Sequence, residues 1–600
     1  MSATIEPAAP PTADDAAHSG LLRQLGLVLH ALRHSAVRRA LLWLVAGILV
    51  VLLLTAYGQI RLNSWNKPFY DALSRRDLRA FLFQLGVFFI IVGVLLVLNV
   101  AQRWLVETIK LRLREGLVQD LLAHWMQPRR AFWLAHTGSM GVNPDQRMHE
   151  DARKLCELSA DLGVGLFQST ILFFTFAGIL WVMSRDFALR IAGEDYPIPG
   201  FMLWAAILYA GIGSLLSYRV GRSLINRNAE RYGREADLRF SLVRINEHLD
   251  GISLAAGEAD ERRRVELDLA DVLDATRRLV IGLTNLTWIT AGFGWITLVA
   301  PILVAVPLFF SGKISFGGLM MAAAAFTQAQ SSLRWFVDNF SIIADWRATL
   351  LRVATFRQAL TLAEPQHDAA ARIDYLENGA GGLLIEKLEI ESPGGRDRLL
   401  EERITVGPGE RLLVAAAAGT GKTQLVRALA GLWPWGNGSI TVPAGQPILY
   451  RPRGTPYLPR GTLREVLAYP QPIEAFDQDC YTHALRRLGL ERLVLSLDTT
   501  QRWDRELSQD EQLSLAFARL ALQKPQWVLI DDAFGLLDDE MLNRVIDVLG
   551  QELAHTGLIH IGRAAEGHEA LFPRVVHLVK VTAAETDQAQ PPAADPAKDR

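Results

Sequence analysis

Residues 415–423 have the sequence AAAAGTGKT. The second half of this stretch ends like a phosphate-binding loop, whose pattern is G-x-x-x-x-G-K-[ST]. That pattern requires glycine at position 416, where this chain has alanine. The flanking sequences "RLLVAAAA" (411–418) and "KTQLVRALAGL" (422–432) are typical of a buried strand and a helix. This strand–loop–helix order predicts an α/β nucleotide-binding domain with one altered loop position.

Each residue of the loop has an expected role. Three backbone amides should face the phosphates, beside the positive end of the helix dipole: those of Gly419, Thr420 and Gly421. Lys422 should reach the β and γ phosphates, and the hydroxyl of Thr423 should hold Mg²⁺. Ala416 would cost on the order of 1–2 kcal/mol only if the turn required a left-handed backbone.

A second motif supports the same site. The sequence "QWVLIDDA" (526–533) predicts a buried strand that ends in Asp531, where an Mg²⁺-organising aspartate is expected. ATP and Mg²⁺ are therefore the expected cofactors.

Composition limits the possible classes of protein. The formal net charge of −2 argues against a nucleic-acid partner, and 600 residues predict two or more domains. Cys156 and Cys480 have no metal-ligand spacing, so we expect reduced, structural thiols.

Long apolar blocks before about residue 350 predict a membrane domain, because a bilayer span needs about 20 apolar residues. Six spans are expected, at 40–58, 81–101, 163–184, 200–218, 286–310 and 316–333. The expected segments are a disordered tail (1–20), a six-helix transmembrane domain (21–350), a linker (351–380), a nucleotide-binding domain (381–580) and a second disordered tail (581–600).

Basic residues predict the orientation. Four arginines precede the first span and place the N-terminus in the cytoplasm: Arg23, Arg33, Arg38 and Arg39. The long charged segments 102–162 and 219–285 are then cytoplasmic, as is the C-terminal domain. The expected outside loop 59–80 is an exception, because it is also rich in arginine and lysine.

Polar residues in the spans predict hydrogen bonds between helices. Examples are Gln168, Thr175, Asn285, Thr287, Thr290 and Gln328. Charged residues are scarce there, so no proton relay is evident.

Longer strings resemble an ATP-binding cassette (ABC) transporter. In the C-terminal half they are "LAGLWPWGNGSI" (429–440), "PYLPRGTLREVLAYP" (456–470) and "ELSQDEQLSLAFARLAL" (506–522). In the membrane half they are "LNSWNKPFYDAL" (62–73), "NPDQRMHEDARKL" (143–155), "LRFSLVRINEHLDGISLAAGE" (238–258) and "RWFVDNFSIIADWRA" (334–348). They resemble the branch of peroxisomal fatty-acyl half-transporters and their bacterial relatives, which take up antimicrobial peptides, bleomycin and cobalamin.

The resemblance implies an exporter-type α-helical membrane domain with long cytoplasmic extensions, followed by an α/β P-loop cassette. It also implies a dimer of half-transporters in a bacterial inner membrane, with two ATPs sandwiched between the cassettes. Peptides or other amphipathic molecules are the implied cargo. Within the family, Ser508 of the signature and Asp538 would contact the nucleotide.

The chain departs from the family at five places. In the signature Leu507–Glu511, Asp510 replaces a phosphate-facing glycine. Asp532 replaces the catalytic glutamate, and Arg563 stands where the switch histidine is expected. Gly454 replaces a glutamine, and "LEIESPGGRDRLL" (388–400) has no aromatic platform for adenine. We therefore expect a cassette that binds ATP·Mg²⁺ but hydrolyses it slowly.

The favoured interpretation is a transporter that acts as a dimer with a weak cassette, and three alternatives remain open. The chain could be the degenerate half of a heterodimeric exporter, a proton-coupled peptide importer with a regulatory cassette, or a membrane scaffold that transports nothing. The cargo and the direction of transport are not determined by the sequence.

Overall fold

The computed structural model describes residues 20–136, 144–185, 188–191, 194–362, 372–378, 381–392, 395–417, 419–443, 448–451, 454–562 and 571–581. The expected tails therefore lie almost entirely outside the described residues. The chain divides into two compact units, Met1–Ala363 and Glu364–Arg600.

The described residues of unit 1 are helical apart from one small hairpin and short connecting segments. Its helices are α1 (Leu21–His34), α2 (Arg38–Ser74), α3 (Leu78–Trp125), α4 (Arg130–His136), α5 (Ala152–Met183), α6 (Phe201–Glu247), α7 (Leu249–Leu254), α8 (Glu258–Phe310), α9 (Phe316–Asp338) and α10 (Phe340–Leu362). A helical turn (Pro144–Gln146) and a π-helical turn (Arg147–Asp151) lead into α5, and the hairpin pairs β1 (Ala188–Ile191) with β2 (Glu194–Pro197).

Five helical segments of the described chain are long and apolar enough to cross a membrane. They are α2, α3, Pro144–Met183, α6 and α8. The longest, α8, has 53 residues and would extend about 80 Å, far more than the roughly 30 Å hydrocarbon core. The sixth expected span, 316–333, lies on α9, which is not one of the five, so the count of six stays a prediction.

Residues 59–80, expected as an outside loop, are mostly helical, because α2 continues to Ser74 and α3 begins at Leu78. Aromatic packing supports this extension. The ring of Phe69 lies 4.4 Å from that of Trp65 and 5.0 Å from that of Phe81. The indole N–H of Trp65 also donates to the carbonyl of Gln84 on α3.

Small residues let α9 approach α2 closely. A side chain at Gly317 would place its Cβ 2.0 Å from the carbonyl oxygen of Lys67. Asp71 accepts hydrogen bonds from the Ser315 hydroxyl at 2.9 Å and from the Gly317 amide at 2.8 Å. The end of α2 is thus tied to the start of α9.

Two of the polar span residues show different kinds of hydrogen bond. Gln168 accepts from Gln102 across α5 and α3 at 2.9 Å. By contrast, the hydroxyl of Thr287 donates within its own helix, to the carbonyl of Leu283. Only some of the polar span residues therefore form hydrogen bonds between helices.

Residues 351–380, expected as a linker, include the end of α10 and strand β3 (Asp374–Asn378). Val353, Phe356 and Leu360 continue the buried face of α10, in a cluster that includes residues of α3 and α5. This packing explains why the helix reaches Leu362, while β3 pairs with a strand of the cassette.

Unit 2 is built on a ten-stranded mixed sheet. Its strands are β3, β4 (Leu383–Ser392), β5 (Gly395–Leu399), β6 (Arg403–Val406), β7 (Arg411–Ala416), β8 (Gly436–Pro443), β9 (Ile448–Arg451), β12 (Trp527–Asp531), β13 (Gly557–Gly562) and β14 (Arg574–Lys580). The order is β3-β8-β4-β5-β14-β7-β13-β12-β9, and β6 pairs with β4. A separate ribbon pairs β10 (Gly461–Thr462) with β11 (Thr500–Gln501).

Helices cover both faces of the parallel strands. They are α11 (Lys422–Leu429), α12 (Leu463–Ala468), α13 (Gln478–Arg487), α14 (Trp503–Glu506), α15 (Gln509–Gln523) and α16 (Asp539–Gly550). Leu529 of β12 belongs to the apolar cluster with α11, whereas Ile530 belongs to the cluster with α15 and α16. Burial on both faces explains the continuous apolar runs of these strands.

Candidate functional site: a nucleotide-binding edge of the cassette sheet

The carboxyl ends of three parallel strands bring the two motifs together. Asp531 on β12 pairs with Ile561 on β13, and Ile561 pairs with Val414 on β7. Neighbouring strands lie about 4.8 Å apart, so the ends of β7 and β12 are separated by about 10 Å. Lys422 and Thr423, the first residues of α11, follow the β7 loop directly. The expected phosphate loop and the expected Mg²⁺ ligand therefore lie at one edge.

Ala416 causes no backbone strain. It is the last residue of β7 and pairs with Leu578 on β14. It is also absent from the described non-glycine residues with positive φ. The turn therefore does not require a left-handed backbone at position 416, so alanine carries no energetic cost there.

The loop forms hydrogen bonds of its own. Gly419 has a φ of 85°, a left-handed conformation that glycine adopts readily. The amide of Lys422 donates to the carbonyl of Thr420 at 2.7 Å. The hydroxyl of Thr420 donates to the carbonyl of Ala417 at 2.8 Å. The amide of Thr420, one of the three expected to face phosphate, also donates within the loop, to the carbonyl of Ala417 at 3.4 Å.

A buried carboxylate lies against this loop. Asp397 on β5 is only 3% exposed. A side chain at Gly421 would place its Cβ 2.6 Å from Oδ2 of Asp397. The other oxygen, Oδ1, has no hydrogen-bond partner among the described residues. Asp397 was not identified from the sequence. It lies on the buried side of the short strand GRDRL, in which burial alternates from Asp397 to Leu399.

We expect Asp397→Asn to tighten binding of ATP·Mg²⁺ by roughly tenfold, because it removes a poorly solvated negative charge beside the phosphates. Titration with a fluorescent ATP analogue measures the affinity. Asp374→Asn, an exposed change on β3, should leave it unchanged. Weaker binding by Asp397→Asn would instead make Asp397 a required ligand.

The signature residues form a helix cap. The hydroxyl of Ser508 accepts from the Glu511 amide at 3.3 Å, and the Glu511 carboxylate accepts from the Ser508 amide at 3.1 Å. Burial acts to raise the pKa of Glu511. Hydrogen bonds from Arg492 and Ser508 outweigh it, and the pKa is held below its usual range.

Carboxylates surround a hollow beside this cap. The hollow has a volume of about 260 Å³, and its lining includes the acids Asp510, Glu511, Asp538 and Glu540. Arg544 also lines it and donates to Glu540 at 2.6 Å. Asp538 caps α16 by accepting from the Met541 amide at 2.7 Å. The hollow is therefore acidic, which opposes the approach of a phosphate.

The residue expected in the place of a catalytic glutamate is conformationally unusual. Asp532 has a φ of 43°, in the left-handed region that non-glycine residues occupy mainly at functional or strained sites. Its amide donates to the carbonyl of Ile561 at 2.8 Å. A side chain at Gly562 would place its Cβ 2.7 Å from Oδ1 of Asp532. Asp532 therefore packs directly on the end of β13.

We expect Gly562→Ala to destabilise the protein by about 1–3 kcal/mol, because the new methyl group would overlap Asp532. Thermal unfolding of the purified protein measures the effect. Gly550→Ala is the control, since its Cβ would meet no atom within 4 Å. Equal melting temperatures for both variants would contradict the tight packing.

The switch position lies outside the described residues, because Arg563 and His568 fall in 563–570. His560 is fully buried on β13. Its ring lies 4.6 Å from that of Phe534 and 5.4 Å from that of Phe572. It is therefore part of the apolar core.

The residues expected to hold Mg²⁺ are Thr423, at the start of α11, and Asp531, at the end of β12. No group of three or more His, Cys, Asp or Glu side chains in the described chain is arranged for a metal ion. One hydroxyl and one carboxylate, completed by phosphate oxygens and water, suit Mg²⁺, which rarely has an all-protein cage. These residues fit a metal that arrives with the nucleotide.

Comparison with known families matches both halves of the chain. Residues 32–310 match the model described as ABC transporter transmembrane region 2, and residues 401–535 match the ABC transporter model. A solved structure, titled "Structure of a bacterial Atm1-family ABC exporter with ATP bound", has the same fold. Its TM-score is 0.69 at 17% identity, covering 91% of this chain and 94% of that one.

Curated relatives cover most of this chain. Inner membrane ABC transporter ATP-binding protein YddA of Escherichia coli is 28% identical, over 86% of this chain and 91% of the relative. ABC transporter D family member 2, chloroplastic, of Arabidopsis thaliana is 26% identical, over 82% and 77%. Lysosomal cobalamin transporter ABCD4 of Homo sapiens is 23% identical, over 81% and 84%.

The two family matches agree with the structure. One unit is helical with long apolar segments, and the other is a mixed sheet that carries the expected phosphate loop. The chain belongs to the ABC transporters, as a multi-pass half-transporter whose membrane domain is fused to a cassette for ATP and Mg²⁺.

Proposed function

We propose that this half-transporter acts as a homodimer that moves peptides or other amphipathic cargo across a bacterial inner membrane. Its cassette binds ATP·Mg²⁺ and hydrolyses it slowly. The proposal rests on a contrast between residues that lie at the same edge of the sheet. The expected phosphate loop and Asp531 lie at the same edge of the sheet, whereas the Asp532 carboxylate lies close against Gly562.

Nucleotide binding rests on the loop and the two strand ends. Amides of Gly419, Thr420 and Gly421 bind phosphates, Lys422 neutralises the β and γ phosphates, and Thr423 and Asp531 hold Mg²⁺. When bound, the metal neutralises charge on the phosphates. Asp397 weakens this binding without removing any of these groups.

Slow hydrolysis follows from the position of the base. A general base must approach the attacking water within about 2.6–3.2 Å. Asp532 is one methylene shorter than glutamate, and a misplacement near 1 Å costs about 100-fold in rate. Asp510 and the acidic hollow add repulsion where the partner's γ-phosphate would be capped.

The cargo proposal rests on resemblance. The bacterial members of the branch take up peptides, and the human relative is named a cobalamin transporter. Peptides and cobalamin are both bulky and partly polar. Uptake of a labelled peptide and of labelled cobalamin should therefore be measured in the same assay.

The test uses the purified chain in proteoliposomes, with uptake, ATP binding and ATP hydrolysis measured together. Cargo movement with tight ATP binding and slow hydrolysis supports the proposal. Cargo movement abolished by a proton uncoupler, but unaffected by the loss of ATP binding, would favour the proton-coupled importer.

Two further outcomes would favour a heterodimer or a scaffold over the homodimeric transporter. Co-purification of a second half-transporter that restores fast hydrolysis would favour the heterodimer. Failure to move either cargo, together with nucleotide-independent capture of a partner protein, would favour the scaffold.

A further inference from the structure

Helix α1 and the start of α2 enclose an apolar groove in the membrane unit. Its volume is about 500 Å³, within the usual range of ligand pockets. Residues of α1, α2, α3 and α5 line it, and nearly all are aliphatic or small. The charged lining residues are Arg33 at the end of α1 and Arg38 at the start of α2.

A second apolar cavity, of about 480 Å³, adjoins the first. Both are lined by Leu29, Leu32, Leu113, Ser159 and Gly163. Helix α1 therefore lies over two adjoining hollows that share these five lining residues. A ligand with two hydrocarbon chains fits this arrangement better than a ligand with one.

Among the described residues, no ion pair compensates the charge at the mouth. No Asp or Glu occurs between Asp15 and Asp71. Neither Arg33 nor Arg38 forms an ion pair with a described residue. Since α2 begins at Arg38 and is one of the apolar spans, the mouth lies at a membrane boundary, at the level of lipid headgroups.

We infer that this groove binds an anionic diacyl phospholipid. Its acyl chains occupy the two apolar cavities, and its phosphate is held by Arg33 and Arg38. Arginine binds phosphate through charge-assisted hydrogen bonds. The site would anchor α1 to one leaflet, independently of nucleotide and cargo.

Native mass spectrometry tests the charge requirement. Purified full-length protein is mixed with equal amounts of phosphatidylglycerol and phosphatidylcholine that carry the same acyl chains. The native chain should retain phosphatidylglycerol preferentially. The double variant Arg33→Gln/Arg38→Gln should lower the ratio of the two bound lipids by roughly 10- to 30-fold.

The control is Arg75→Gln/Arg76→Gln, which removes two exposed charges just beyond the other end of α2. It should leave the ratio unchanged. Equal retention of both lipids by the native chain, or an equal loss in the control, would overturn the proposal.

A steric variant tests the groove without changing charge. A side chain at Gly163 would meet no atom within 4 Å and would enter the cavities. We expect Gly163→Leu to reduce retention of both lipids several-fold. Gly178→Leu, at an equally open position of α5, should not.

Unchanged lipid retention by Gly163→Leu would overturn the assignment. So would disulfide cross-linking of Leu42→Cys to a second copy, because the groove would then be part of the interface between subunits.

Discussion

Lys422→Ala is expected to weaken binding of ATP·Mg²⁺ by about 100-fold. Lys422 is the first residue of α11, where it would contact two phosphates. A hydrogen bond to a charged group contributes roughly 1.5–3 kcal/mol, so loss of the Lys422 contacts to the phosphates accounts for an affinity that is about 100-fold weaker. Fluorescent-nucleotide titration of the purified full-length chain measures the change.

Arg486→Ala serves as the control, because it removes an exposed positive charge from α13 in the same unit. Its affinity for ATP should match that of the native chain. If Lys422→Ala binds ATP normally, the phosphate loop is not the nucleotide site. If the native chain binds no nucleotide, the binding half of the proposed function is wrong.

Asp510→Gly is expected to raise the ATPase rate of the purified chain by roughly 30- to 100-fold, with little change in ATP binding, if the chain forms the proposed homodimer. Asp510 is exposed on the first turn of α15, beside the acidic hollow. In the proposed homodimer, this turn would meet the nucleotide bound by the other copy. Removing a carboxylate there lowers its repulsion of the γ-phosphate and allows close backbone approach.

A matched control exists on α13. Asp479 is also the second residue of an α-helix and is also exposed. Asp479→Gly should leave the rate unchanged. An unchanged rate for Asp510→Gly, with ATP binding intact, would contradict self-capping by a homodimer and would favour a partner chain that supplies the signature.

Much of the cassette could be predicted from local patterns. A continuous apolar run predicts the strand before Asp531, and the strand–loop–helix order predicts the helix after Gly421. Both elements are present in the structure. The family resemblance extended this to the membrane half. The expected loop 59–80 is instead mostly helical, because its aromatic residues pack between α2 and α3.

The sequence by itself determined the two halves of the chain and the strand–loop–helix order of the phosphate loop, because these follow from residue identity and spacing. The altered signature and the replacement of a catalytic glutamate by Asp532 are predictions that rest on the family resemblance. Only the tertiary structure decided that Ala416 is harmless, that Asp397 lies under the loop and that Gly562 confines Asp532. Each depends on which strands are neighbours and on the backbone angles at single residues. Those are set by packing between segments distant in sequence, which no local pattern records.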